Sequence, residues 1–211
     1  MYVPAIFKED RIPVLHDTIR QIRFGMLVTL NRDGLVASHL PMVIDPEPTP
    51  LGTLSGHVAR ANPQWRGLDP EVEALAIFAG PQAYVRPSWY ATKALTGKVV
   101  PTWNYVAVHA YGRLRFVDDP EHARAHLARL TDAQEGARAE PWHVTDAPED
   151  FVAGMVKGVV GFDLVISRLE GKWKMNQNRP PQDVAGVIEG LAREGGSAEV
   201  AALVAERNKD R

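Results

Sequence analysis

Short β-segments follow one another in hairpin order through most of this chain, and that succession restricts the fold more than any other feature. Residues 25–30 (Gly25-Met26-Leu27-Val28-Thr29-Leu30) read as a buried strand, Asn31-Arg32-Asp33-Gly34 as a turn, and residues 35–43 as the returning strand. The turn puts glycine where the backbone needs a positive φ. Further strands are expected over residues 52–58, 74–78 with 82–85, 99–117 and 159–169, with Gly171 marking a turn after which 172–175 pair back. Residues 86–97, with Pro87, read as an aromatic, polar loop.

Helices frame this pattern. Ile12, Leu15, Ile19 and Ile22 form an amphipathic stripe within residues 8–22. Pro120 opens a helix over 120–135 with Leu127 and Leu130 on its apolar side, and a short one follows over 148–156. Residues 180–193 carry Val184, Val187, Ile188 and Leu191 on one face; Gly195-Gly196 breaks that helix, and Ser197 caps a last one to about 207. Strands in hairpin order with helices at the ends and inserted predict a mainly β protein with α additions, a small antiparallel barrel of six or seven strands. No linker long enough to separate two domains is visible. The expected organisation is one domain over 1–194 with the C-terminal helix, 195–211, belonging to it.

Composition narrows the chemistry. The 211 residues contain no cysteine, which removes disulfides, thiolate metal sites, iron–sulfur clusters and a cysteine nucleophile. Met1-Tyr2-Val3-Pro4 opens no signal peptide, and no stretch approaches the roughly 18 apolar residues of a membrane span. A cytoplasmic protein is expected. The formal charge of −2 lacks the basic excess by which DNA-binding domains neutralise phosphates.

Standard catalytic signatures are missing. There is no Gly-x-Gly-x-x-Gly after a strand and no P-loop, and Gly52-Thr53-Leu54-Ser55-Gly56 is not a nucleophile elbow. His122 and His126 stand four apart on a predicted helix, either as a chelating pair or, with no glutamate in the zincin position between them, as two solvated side chains; the second reading is the expectation. No acid–base pair stands out, so no catalytic residue is named.

Polar and aromatic residues collect beside the strands instead. They gather at Ser38-His39, at Gly56-His57-Val58-Ala59-Arg60-Ala61-Asn62-Pro63-Gln64-Trp65, along 84–90, at Lys98 to Tyr105, and at Lys172 to Arg179. Arg60, Lys98, Lys174 and Arg179 offer charge-assisted donors of the kind a phosphate dianion takes. Trp89, Trp103 and Tyr90 offer faces for a flat ring, or serve as core and interface anchors. Asn62, Thr102, Asn104 and Gln177 carry groups that match carbonyl and imide edges. Together they suit a planar, phosphorylated ligand.

These motifs resemble those of the PaiB family of FMN-binding proteins, described as negative transcriptional regulators. The resemblance rests on Ser38-His39-Leu40-Pro41, on the segment from Gly56 to Trp65, on Pro87-Ser88-Trp89-Tyr90, on Val100-Pro101-Thr102-Trp103-Asn104-Tyr105, and on Gly171-Lys172 with Gln177-Asn178-Arg179. It runs from Met1 to about Leu191. It implies a Greek-key-like split β-barrel of the FMN-binding type, related to pyridoxamine-phosphate oxidases, with FMN held at a homodimer interface. By the same resemblance Ser38, His39 and Leu40 run beside the isoalloxazine, and Arg60, helped by the backbone from His57 through Ala59 to Asn62, holds the phosphate. Thr102, Trp103 and Asn104 reach the ligand from the long strand, Lys98 just before it is a further cofactor-binding candidate, and Gln177 and Arg179 close the pocket. Arg86 and Asn176 stand where serine is common in the family.

Three functions compete at this point. One is an FMN-binding regulator that acts on transcription indirectly or through a partner; another is an FMN-dependent oxidoreductase using NAD(P)H and a small substrate; the last is a non-catalytic flavin-binding scaffold. Direct DNA binding is not expected, because the final helix carries Glu199 and Glu206 among alanines and valines rather than side chains that reach bases.

Overall fold

The computed structural model describes residues 1–193 and 197–210. The expected break at Gly195-Gly196 lies outside them. The described residues form seven strands: β1 (Lys8–Glu9), β2 (Phe24–Asn31), β3 (Gly34–Asp45), β4 (Thr53–Ala59), β5 (Ala74–Val85), β6 (Thr102–Val117) and β7 (Val159–Lys174). The helices are α1 (Ile12–Ile22), α2 (Thr92–Thr96), α3 (Pro120–Glu135), α4 (Glu149–Val156), α5 (Pro181–Arg193) and α6 (Ala198–Asn208). The sheet order is β1-β7-β4-β3-β2-β5-β6, and β6 pairs with β7 as well, so the ladder returns on itself. Among the described residues no helix is long and apolar enough to cross a membrane.

Local chemistry set several boundaries. The β2–β3 hairpin pairs Asn31 with Gly34 and Leu30 with Leu35, and Gly34 takes φ 114° as expected. Asp119 caps α3 by accepting from the backbone N–H groups of Glu121 and His122, and Ser197 caps α6 by accepting from Val200. Each cap satisfies donors that a helix start leaves unpaired.

Long-range pairing set the others. The expected turn at Gly171 is absent. β7 runs unbroken through it because β1 supplies the partner there, pairing Lys8 with Lys172 and Glu9 with Gly171. That same pairing pulls Lys8 and Glu9 out of the expected first helix, which starts only at Ile12. The segments 74–78 and 82–85 are one strand, β5, and the loop after it winds into a short 3-10 turn, Pro87–Trp89, and α2.

The chain packs as two compact units. One comprises residues 12–78 and 109–169. Its core takes Leu15 and Ile19 from α1, Leu27 from β2, Met42 and Ile44 from β3, Leu54 and Val58 from β4, and Phe162 and Leu164 from β7, all buried. β4 lies so close to β7 that a Cβ on Gly56 would meet the Phe162 ring at 2.2 Å. The other unit comprises residues 1–11, 79–108 and 170–211. There Val184, Val187 and Leu191 of α5 and Val200, Ala201 and Val204 of α6 are buried, along with Trp173 and Met175.

Candidate functional site

Within the unit of residues 12–78 and 109–169, the motif residues surround the turn after β4. Asn62 caps a 3-10 turn (Pro63–Trp65) by accepting from the Gln64 N–H at 2.9 Å, and its Nδ2 donates to Ser38 Oγ at 2.9 Å. Ser38 Oγ in turn donates to Gln64 Oε1 at 2.6 Å. Gln64, fully buried, donates from Nε2 to Thr29 Oγ1 at 3.0 Å and Leu27 O at 3.2 Å. A buried amide with every group satisfied fixes its surroundings. Ser38 and Asn62 therefore hold this turn against β2 and β3. Gln64, the centre of the network, lies within the motif but is not among the expected site residues; its side-chain partners lie 26 to 37 positions away.

Arg60 is fully engaged. Its guanidinium meets Asp118 bidentately, Nη1 to Oδ2 at 2.9 Å and Nη2 to Oδ1 at 2.6 Å, while Nε donates to Lys157 O at 2.7 Å and Nη2 also to Val159 O at 3.2 Å. The Arg60 hydrogen bonds hold the Asp118 carboxyl below the usual carboxylate range. A fork shaped for two oxygens has found them within the chain. The phosphate role that the resemblance assigns to Arg60 would have to displace this carboxylate.

His57, on β4, is hydrogen-bonded to α3: its Nδ1 lies 3.1 Å from His126 Nε2. His122 Nε2 lies 3.0 Å from Asp163 Oδ2, and Ser55 donates to Asp163 Oδ1 at 3.0 Å. The expectation of two solvated helix histidines is overturned, since His126 is fully buried and His122 is half-buried on an aspartate. They face the sheet because α3 turns that side toward β4 and β7. Burial lowers the His57 pKa; burial first, then the charges of His57, Arg129 and His122, lower that of His126 to about 4. Among the described residues no group of three or more His, Asp or Glu is arranged to hold a metal.

His39 is exposed on the other side of β3, and its ring stacks with Phe24 at 6.3 Å and 24°. Leu35, Ala37 and His39 alternate outward along this strand, so the hairpin presents an apolar face with Phe24 (57% exposed) and Leu35 (78% exposed). Leu40 is half-buried and Ala59 exposed.

The remaining predicted residues lie in the unit of residues 1–11, 79–108 and 170–211. Trp103 is half-exposed on β6; its Nε1 donates to Gln82 Oε1 at 2.9 Å, and its ring lies 5.9 Å from that of Tyr84, which is also exposed. Asn104, by contrast, is fully buried and donates to Asn176 Oδ1, while Asn176 donates to the Tyr90 hydroxyl at 3.3 Å. Asn176 holds φ 60°, a left-handed conformation that asparagine tolerates better than most residues. Gln177 accepts from the Met175 N–H and donates to Trp173 O, both at 2.6 Å, closing the turn after β7. The Arg179 guanidinium covers the Tyr90 ring at 4.6 Å. Lys174, from the end of β7, donates to Thr102 Oγ1 and to Trp103 O at 2.8 Å. Lys98 is exposed, just past Gly97 in a left-handed conformation. The structure thus brings Thr102, Trp103 and Lys174 together, buries Asn104 and Gln177 as supports, and leaves Lys98 at the surface.

Comparison with known proteins gives these motifs a context. A family described as "Putative FMN-binding domain" matches residues 1–168. An uncharacterised protein of Aspergillus fumigatus is 37% identical, covering 100% of this chain and 97% of the relative. Protease synthase and sporulation protein PAI 2 of Bacillus subtilis is 32% identical, covering 92% of this chain and 90% of the relative. Among solved structures, the FAD and heme binding protein from Mycobacterium smegmatis superposes with a TM-score of 0.59 at 15% identity, covering 84% of this chain and 78% of that one. The flavocytochrome Anf3 from Azotobacter vinelandii reaches 0.53 at 13%, covering 84% and 78%. At these identities the superpositions speak for the split β-barrel fold.

Proposed function

The chain belongs to the FMN-binding domain family and has FMN as its cofactor, and from that premise we propose that it acts as a homodimeric flavoprotein influencing transcription through a partner rather than by gripping DNA itself. The match over residues 1–168 carries the cofactor assignment. The residues present fit such a ligand: Trp103 and Tyr84 expose aromatic faces, and Lys174, bonded to the Trp103 carbonyl, puts a cation beside them. Flat rings stack on such faces, and a phosphate takes charge-assisted donors. Bound FMN supplies hydride or electron transfer, while the protein supplies position and electrostatics.

The relative PAI 2 bears a sporulation and protease-synthesis name, which supports a regulatory role for this chain. The packing of α6 opposes direct DNA contact. Arg207, a cation in its last turn, donates to Glu9 at 2.6 Å and covers the Trp173 ring at 4.9 Å, so it packs inward. Glu199 lies in its first turn. A helix that reads DNA directs its cations outward to phosphates and base edges.

Pairing of two copies is supported by the exposed apolar face of the β2–β3 hairpin, since contiguous exposed apolar surface marks interaction sites. Light scattering on the purified protein should give a dimer mass, and a Phe24→Asp, Leu35→Asp double variant should give a monomer; a wild-type monomer contradicts the dimer. For the regulatory reading, the protein should retard its own promoter DNA only weakly at physiological salt, and a tight, specific shift would overturn the indirect route. Rapid bleaching of the bound flavin by NADH or NADPH would instead make the chain an oxidoreductase.

A further inference from the structure

We infer that Lys172, Lys174 and Arg179 form an oxyanion subsite that takes a phosphate or carboxylate group of a bound ligand. Lys172 and Lys174 are two apart on β7, hence on one face of the strand and about 7 Å apart along it. Lys172 is only 8% exposed; its ammonium donates to Tyr2 O at 3.0 Å and lies 5.1 Å from the Tyr105 ring and 5.6 Å from the Tyr2 ring. Lys174 uses Thr102 Oγ1 and the Trp103 carbonyl, and Arg179 uses the Tyr90 ring face.

None of these partners carries a negative charge. Among the described residues, no carboxylate forms an ion pair with any of the three, whereas in the same unit Arg207 and Arg11 share Glu9 and the N-terminal ammonium meets Glu170. Burial first, then the charges of Lys172 and Arg179, push the Lys174 ammonium below its ordinary value. Lys172 is buried and Lys174 and Arg179 half-buried, and cations gathered so without a counter-charge repel one another and lose part of their hydration. An arriving oxyanion removes both penalties and accepts the remaining ammonium donors, since each ammonium has three. Arg60 is the control: it has the same chemistry, but Asp118 already fills its fork.

One source of the oxyanion is the phosphate of FMN, which rests on the cofactor reading above; the other is a second ligand bound beside the flavin. The test titrates FMN, riboflavin and inorganic phosphate against wild type, Lys174→Gln, Arg179→Gln and the charge-restoring Lys174→Arg, following flavin fluorescence or heat. If Lys174→Gln weakens FMN about tenfold or more while riboflavin is unchanged and Lys174→Arg recovers it, the subsite holds the cofactor's phosphate. If both flavins bind as before but inorganic phosphate binds FMN-loaded wild type and not FMN-loaded Lys174→Gln, the subsite serves a second ligand. Unchanged binding of all three probes in both neutralised variants overturns the subsite. Failure of wild type to bind either flavin sinks the cofactor reading alone, and phosphate titration of the bare protein then decides the cluster.

Discussion

The turn after β4 and the end of β7 both gather cations and amides, yet they differ in what those groups touch. Around the first, Arg60 is matched by Asp118, Asn62 and Ser38 by Gln64, and His57 by His126. At the second, Lys172, Lys174 and Arg179 meet carbonyls, a hydroxyl and ring faces. Residue type is the same; counter-charge is not. Availability for a ligand follows from what is left unneutralised, and a motif read by composition alone cannot separate the two.

The largest expected effect concerns a fully matched cation set. Burial opposes ionisation of Glu9, but hydrogen bonds from Arg11 and Arg207 outweigh it and lower its pKa from 4.5 to about 2. A carboxylate depressed in the folded state stabilises fully above its unfolded value and loses that contribution as pH falls from about 4.5 toward 2. Glu9→Gln should cost about 3 kcal/mol at neutral pH by urea denaturation, and the difference from wild type should vanish near pH 2. A pH-independent difference would separate Glu9 from this pairing.

A smaller effect comes from the histidine pair. His126 has a lowered pKa, so between its ordinary 6.5 and about 4 the unfolded chain binds more protons and stability falls with acid. Wild type should lose about 2 kcal/mol between pH 6.5 and 4.5, and His126→Leu should flatten that slope. An unchanged slope in the variant would place the titration elsewhere.

Lys172→Met tests the unmatched side with the opposite sign. Replacing a buried, unneutralised ammonium with an apolar side chain of similar length should raise the stability of the ligand-free protein by about 1 kcal/mol. A loss of similar size would mean that the bond to Tyr2 O and the ring contacts already compensate the charge. The smallest effect is expected for Arg60→Gln, which should lower the melting temperature while leaving the ratio of FMN to riboflavin affinity within about twofold. A selective loss of FMN would show that Asp118 yields the fork to phosphate.

What the sequence disclosed was local. The turn at Gly34, the Asp119 and Ser197 caps and the extents of α3 and α5 follow from residues within a few positions, and each stands close to its expected place. The seven strands and inserted helices likewise match the expected fold class. What stayed hidden depends on distant partners. β7 passes through Gly171 because β1 arrives from more than 160 positions away, Arg60 is neutralised by a residue 58 positions on, and the buried His126 is hydrogen-bonded to a histidine 69 positions back. A missing counter-charge leaves no trace in a motif, so the sequence offers Arg60 and Lys174 alike as phosphate donors and cannot tell the neutralised cation from the unneutralised one.

Titrating the purified, flavin-stripped protein with FMN tests the account most directly. Saturable, stoichiometric uptake, giving a yellow protein that releases its flavin on heating, is the predicted result. A chain that stays colourless and leaves flavin fluorescence unaltered through the titration would contradict it.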